Sequence, residues 1–221
     1  MEKRTFSTEL CYILGIVLLA FSATCMAKAD LGLSMVVAPA YLLHLKLGIT
    51  FGTAEYCLQA VLLLLMMLLL RRFKPVYLLS FLTAVIYGVV LDGFMLALQF
   101  PELSLMARIA LFMVGLFAGA AALALFFKSY FTPLVYELFV REISRKLHVP
   151  LSHFKTYFDM VFCVLAIMFS FAFFGFGRFE GVKWGTLVCT LLNGWLIGRY
   201  TESLDKKFVF KDFKPWRSHF E

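Results

Sequence analysis

The sequence predicts an all-α membrane protein with about six transmembrane helices. We expect two inverted three-helix repeats, each with a short broken, re-entrant or interfacial helix. The 221 residues are 62% hydrophobic and only 16% charged, whereas a soluble domain is about 45–50% apolar and roughly 25% charged. Apolar runs of membrane-spanning length recur from residue 11 to residue 200, and the helix pattern of the first half returns in the second.

A single membrane domain is predicted over residues 1–221, with repeat 1 at about 10–98, repeat 2 at about 107–200 and a basic cytoplasmic tail at 201–221. The first apolar run is similar in length to a signal peptide. However, more membrane segments follow it, so we expect it to remain in the mature protein. The five cysteines lie in or beside apolar segments, where small hydrophobic packing is their expected role.

The first repeat is predicted to contain a long helix, a break, a short helix and two more long helices. Their bounds, in order, are 10–27, 28–34, 35–47, 54–70 and 76–98. The short helix rises only about 20 Å, which is less than the roughly 30 Å hydrocarbon core of a bilayer. Ser34 and Thr53 are predicted to cap the helices that follow them.

The second repeat is predicted to follow the same order, at 107–127, 128–133, 134–147, 153–174 and 184–200. Thr132 and Pro133 are expected to begin the short helix. This helix is amphipathic, with i,i+4 pairs Glu137–Arg141 and Glu142–Lys146, and is expected to lie at the membrane interface.

The first long helix of this repeat has a Gly-x-x-x-Gly motif at Gly115 and Gly119, which predicts close helix contact. The motif leaves open whether the partner helix belongs to the same chain or to a second copy in a homodimer.

At an offset of one hundred positions, Gly15 aligns with Gly115 and Lys28 with Lys128, while the last helices align at an offset of 106. If the short helices do not cross the membrane, each half has three spans and the halves are inverted. With the N-terminus inside, fourteen lysines and arginines then lie in the cytoplasm and five outside. This bias predicts a multi-pass membrane protein with both termini cytoplasmic. Short helices that cross would make the halves parallel and weaken the bias.

The stretch 27–34, continued by 47–53, resembles the first-half signature of the YczE/YitT-like bacterial membrane proteins. The second half is similar to their pattern at Asp159, at Gly185-Thr186 and at Asn193-Gly194, while Met35 stands where that family usually has Pro. The resemblance implies a bacterial inner-membrane protein.

We expect no enzyme, cofactor or metal site, because no Gly-x-Ser-x-Gly, His-Glu-x-x-His or P-loop motif is present. An intramembrane enzyme is the weakest alternative, since a nucleophile with its base is missing. No nucleic-acid partner is expected either, because the positive-inside bias explains the net charge of +7.

Ionisable and polar groups inside membrane segments are costly, so they are the functional candidates by default. Lysines at helix ends also suit the negative end of the helix dipole, and Asp92 also suits an interfacial structural role. The candidates for substrate or ion binding are Asp159, Gln59, Glu55, Asp92, Asn193, Ser34, Thr132, Lys28 and Lys128.

These features favour a small inner-membrane transporter or permease for a small polar or ionic solute. Its site would lie between the two breaks, with Asp159 as the coupling or cation-binding carboxylate. The alternative is a non-transporting accessory or scaffold protein. In that role, the amphipathic segment 134–147 and the basic tail would dock a cytoplasmic partner or anionic lipid. Either protein has the lipid bilayer as its surroundings, and the sequence identifies no substrate.

Overall fold

The computed structural model describes residues 4–131, 133–175 and 180–212. This part of the chain forms eight helices and two short strands. In chain order they are β1 (Arg4–Ser7), α1 (Thr8–Ala29), α2 (Ala38–Leu47), α3 (Phe51–Leu70), α4 (Pro75–Ala97), α5 (Leu105–Phe126), α6 (Val135–Leu147), α7 (Leu151–Phe174), α8 (Trp184–Lys207) and β2 (Phe208–Lys211).

Five of these helices, α1, α3, α4, α5 and α7, are long and apolar enough to cross a membrane. The chain is thus consistent with a multi-pass membrane protein. The helix α8, predicted as a sixth span, is not among the five. It continues seven residues beyond Tyr200 to Lys207, and its last turns carry charged side chains that do not suit hydrocarbon.

The short helix α2 begins three residues later than predicted, at Ala38. Ser34 precedes it, but its backbone carbonyl, rather than its hydroxyl, accepts the N–H groups of Val37 (3.1 Å) and Ala38 (3.0 Å). The prediction of a Ser34 side-chain cap is therefore wrong, because residues 35–37 form a separate turn. Likewise, α3 is capped by Thr50, whose side chain accepts the Thr53 N–H, and not by Thr53 itself.

The helices α1 and α5 pack against each other as antiparallel neighbours at tightly fitting glycines. A Cβ atom on Gly15 would stand 2.6 Å from Phe126 Cδ2, and one on Gly115 would stand 3.0 Å from Met26 Cγ. A Cβ atom on Gly119 would meet Ser22 Oγ at 2.6 Å. The Gly-x-x-x-Gly face of α5 is therefore occupied by α1 of the same chain.

Each break packs against the start of a long helix from the other half. At the first break, the Leu33 N–H donates to the Gly181 carbonyl (3.1 Å), and the Gly185 N–H donates to the Leu31 carbonyl (2.8 Å). At the second break, the Ser80 hydroxyl of α4 donates to the Pro133 carbonyl. The short helix α2 packs on α3 and α7, while α6 packs on α3, α4 and α7.

The two described ends of the chain meet in a parallel pair of strands, which the sequence did not predict. The register pairs Arg4 with Phe208 and Ser7 with Lys211. Lys128 at the second break lies beside this sheet, 2.7 Å from the Asp205 carboxylate and 5.7 Å from the Phe210 ring. Both ends of the described chain therefore lie at the same end of the helix bundle as the second break.

Candidate functional site

Two large polar side chains, Glu55 and Gln59, lie one turn apart on α3 and are completely buried. The Tyr136 hydroxyl of α6 donates to Glu55 Oε2 at 2.8 Å, and Gln59 Nε2 approaches the same oxygen at 3.4 Å. The Val135 N–H donates to Gln59 Oε1 at 3.1 Å. Because Val135 is the first residue of α6, Gln59 satisfies one of the free N–H groups of this helix end.

Glu55 is only partly satisfied within the described residues. Its Oε1 atom is buried and has no hydrogen-bond partner there. An unsatisfied buried polar atom costs about 1–3 kcal/mol, and an ionised carboxylate costs more. The arrangement therefore leaves one carboxyl oxygen of Glu55 available to a proton or a cation.

Tyr136 is the main partner of Glu55, and the sequence did not identify it. Burial and the neighbouring Glu55 raise the pKa of Tyr136 well above its ordinary value. Its hydroxyl therefore remains protonated and can act as the donor in this pair. Tyr136 directly follows the first residue of α6. In the sequence, its place close to a predicted helix start was the only sign that it could contact another helix.

Asp159 lies in an ion pair with Lys155 on α7, with 2.9 Å between Nζ and Oδ1, but this oxygen is buried and, like Glu55 Oε1, accepts no hydrogen bond of good geometry from the described residues. Burial raises the pKa of Glu137, while Lys155 lowers it and Asp159 raises it. These three side chains therefore form one electrostatic group at the α6–α7 contact. Lys155 is therefore a cationic partner of Asp159, whereas no cationic side chain pairs with Glu55 within the described residues.

The i,i+4 ion pairs predicted along α6 are not formed. Glu137 Oε2 and Arg141 Nε are both buried without a hydrogen-bond partner in the described chain. Glu142 instead bonds to α4, where Lys74 Nζ lies 3.3 Å and the Tyr77 hydroxyl 3.0 Å from its Oε2. Along α6 itself, Glu142 pairs at i,i+3, with 3.8 Å between its Oε1 and Arg145 Nη1.

Asp92 serves a structural role at the start of α3. Its carboxylate accepts the Gly52 N–H at 2.7 Å and the Thr50 hydroxyl at 2.6 Å. A carboxylate at the positive end of a helix is favourable and satisfies a free N–H group. Both oxygens are thus used to join α4 to α3.

The other candidates do not join the Glu55 site by any described contact. Lys28 is half-buried in the last turn of α1, and Asn193 is half-buried on α8. Lys128 pairs with Asp205, and Ser34 lies in the turn before α2. Thr132 lies outside the described residues.

A second charged cluster holds the first break in place. The sequence analysis did not predict that its residues come together. Asp30 has a left-handed backbone conformation (φ 51°) at the end of α1. Its carboxylate accepts Arg108 Nη2 at 2.7 Å and Lys183 Nζ at 2.5 Å. Arg108 also donates to the Ala29 carbonyl at 2.7 Å. These bonds join the first break to the starts of α5 and α8.

A cavity of about 320 Å³ opens between α3 and α7, and its lining is almost entirely apolar. Phe139 of α6 contributes to it, with Leu58, Val61, Leu62 and Leu65 from α3 and Phe154, Tyr157, Phe158, Val161, Phe162 and Leu165 from α7. We call this cavity the α3–α7 groove. It is distinct in character from the polar site around Glu55.

Comparison with known proteins identifies the family of this chain. The model of DUF6198, described as a family of unknown function, matches residues 6–202. The chain belongs to this family. It is also 27% identical over 206 residues to the uncharacterized protein YyaS of Bacillus subtilis (strain 168), which covers 91% of this chain and 96% of that protein. No solved structure matches the chain.

Proposed function

We propose that this DUF6198 member is a small transporter for a polar or ionic solute, with Glu55 as its proton- or cation-binding carboxyl group. The observation that carries the proposal is the completely buried Glu55, one of whose oxygens has no described partner. A costly group of this kind inside a membrane protein is typical of ion or proton pathways.

Glu55 is better suited to coupling than Asp159, which was the first candidate from the sequence. Asp159 already has Lys155 at 2.9 Å, so its charge is compensated within one helix. Glu55 is instead shared between two helices, through Tyr136 of α6 and its own position on α3. Gain or loss of a proton or cation at Glu55 would therefore alter the α3–α6 contact, whereas the same event at Asp159 would act on its pair with Lys155 and on Glu137 at the α6–α7 contact.

The proposed mechanism needs two halves of opposite orientation, and the contacts of α1 with α5 support this arrangement. The contact of Gly15 with Phe126 has its counterpart, one hundred positions on, in that of Gly115 with Met26. Such reciprocal contacts are typical of two units related by a two-fold axis. Because α1 and α5 are antiparallel, this axis would lie in the membrane plane and relate inverted halves.

The ends of the bundle give further support to the inversion. Ser80 contacts Pro133 at the second break. Thr186 is the counterpart of Ser80 at an offset of 106, and it lies against Gly32 at the first break. In this arrangement α8 is the sixth crossing. The paired strands and the basic second-break end are cytoplasmic, and the Asp30 cluster is on the outer face. We place the protein in the bacterial cytoplasmic membrane because YyaS is a bacterial protein, and its orientation follows from the charge bias.

The test is proton movement in liposomes that contain the purified full chain and an internal pH-sensitive dye. Sodium, potassium and neutral amino acids are added in turn, each as a separate probe. We expect at least one of them to change the internal pH. The Glu55→Gln variant should abolish the change because Gln cannot release a proton, and Asp159→Asn should reduce it less.

Empty liposomes and liposomes with a variant at an exposed position of α8, Lys206→Gln, are the controls. A response that persists in Glu55→Gln would remove Glu55 from the mechanism. No response of the folded wild-type chain to any probe would contradict proton-coupled transport of these solutes and favour an accessory role without transport.

A further inference from the structure

We infer that the α3–α7 groove binds one acyl chain of an anionic phospholipid whose headgroup lies against basic side chains at one end of the groove. The volume of about 320 Å³ is at the lower end of the roughly 300–1,000 Å³ usual for small-molecule sites. The lining is apolar along its length, as an acyl chain requires, and offers no hydrogen bonds to a polar solute.

The basic end is defined by contacts among the three helices that form the groove. Lys146 near the end of α6 donates to the Leu69 carbonyl near the end of α3. Phe139 of α6 contacts the Phe158 ring of α7, with 5.5 Å between ring centroids. The C-terminal ends of α3 and α6 and the N-terminal end of α7 therefore come together at one end of the groove.

The ends of α3 and α6 each place a cation here, Arg72 and Lys146, while the basic side chain of α7, Lys155, already pairs with Asp159. Lys146 follows Phe139 by seven residues, and Lys155 precedes Phe162 by seven, so each lies on the same helix face as a lining residue. In each pair, the lysine lies about 10 Å along the helix axis from the lining residue. Lys155 Nζ also lies 5.5 Å from the centroid of the Phe158 ring, which lines the groove. Arg72 lies exposed just beyond the end of α3.

The groove and its basic end are complementary to an anionic lipid rather than to a second protein chain. The apolar lining runs about 16 Å along α7, from Phe154 to Leu165, which is about half of a roughly 30 Å hydrocarbon core. It ends in cations at one end, and an anionic lipid has the same order of parts. The charge bias of the sequence places this end in the cytoplasmic leaflet, whose anionic lipids attract basic groups close to the membrane. The inference does not depend on transport, since it rests on the groove and not on Glu55.

The test is native mass spectrometry of the full chain after incorporation into nanodiscs with equal amounts of phosphatidylglycerol and phosphatidylcholine. We expect the wild-type protein to retain one phosphatidylglycerol in preference to phosphatidylcholine. The double variant Arg72→Gln/Lys146→Gln should lose up to about fivefold of this preference for each charge removed. Lys206→Gln/Lys207→Gln is the matched control, because it removes two charges from the end of α8, and its preference should equal that of wild type.

A Val161→Trp variant tests the groove itself. Val161 lines the groove and its side chain is 57% exposed, so a larger side chain can enter the groove without unfolding the core. We expect it to release the retained lipid whatever the headgroup. Equal retention of the two lipids by wild type, an equal loss of preference in both double variants, or a dimer mass in place of a bound lipid would each overturn the inference.

Discussion

Substitution of Gly52 by Ala tests how closely α3 and α4 must approach to hold Glu55 in place. A Cβ atom at position 52 would stand 1.9 Å from the Gly88 carbonyl oxygen and 2.8 Å from Asp92 Cγ, where ordinary contact begins at 3.4 Å. Backbone atoms cannot rotate away, so the two helices must separate by about 1.5 Å to relieve the overlap.

The cost of this separation follows from the contacts that it breaks. Overpacking of a tight contact typically costs about 1–3 kcal/mol, and weakening of the 2.7 Å bond from the Gly52 N–H to Asp92 adds about 1 kcal/mol. We therefore expect a loss of about 2–4 kcal/mol. For a chain of this size, that loss lowers the melting temperature by roughly 4–16 °C.

The assay is thermal unfolding of the purified protein in detergent, with Gly93→Ala as the matched control. Gly93 lies on α4 as well, and a Cβ atom there meets nothing within 4 Å. Because Ala favours a helix over Gly by about 1 kcal/mol, the control should be unchanged or slightly more stable. Equal melting temperatures for Gly52→Ala and Gly93→Ala would refute the proposed close contact.

Three further substitutions test the bonds around the site and the first break. Asp92→Ala should cost about 1–2 kcal/mol by releasing the start of α3; a melting temperature equal to that of wild type would exclude this capping role. Tyr136→Phe should cost about 1–3 kcal/mol by removing the donor to Glu55, whereas Tyr157→Phe, at an exposed position, should cost nothing in the same assay. Asp30→Asn keeps a residue that tolerates the left-handed conformation but loses two partly exposed ion pairs, so we expect a loss of only about 1 kcal/mol that shrinks in high salt. A loss independent of salt would show that the charge is not its cause.

The long helices could be predicted from the sequence because each of them coincides with an apolar run of membrane-spanning length. The predicted starts and ends of the long helices lie close to those in the structure, except at α8. That helix continues through charged residues such as Lys206 beyond the apolar run, so apolar length could not show its end. The paired strands join residues about two hundred positions apart, and four-residue segments give too little pattern to predict such a pairing.

The site was predicted only in part. Glu55 and Gln59 were candidates because polar groups are rare in an apolar helix. Their partner Tyr136 is 81 positions from Glu55, and its role depends on how α6 packs against α3. In the sequence, Asp92 and Asp159 are both single carboxylates in apolar helices, and only Asp92 also suited an interfacial structural role. The structure separates them, because Asp92 caps α3 and Asp159 pairs with Lys155.

The most direct test of the central claim, two halves of opposite orientation, is the sidedness of the two breaks. In a variant whose five cysteines are replaced by alanine, single cysteines at Ser34 and Ser129 report the first and the second break. They are treated with a membrane-impermeant maleimide on intact cells, with Lys206→Cys as the cytoplasmic reference. We predict labelling at position 34 in intact cells and at positions 129 and 206 only after permeabilisation. Labelling of both 34 and 129 in intact cells would make the halves parallel and contradict the proposed mechanism.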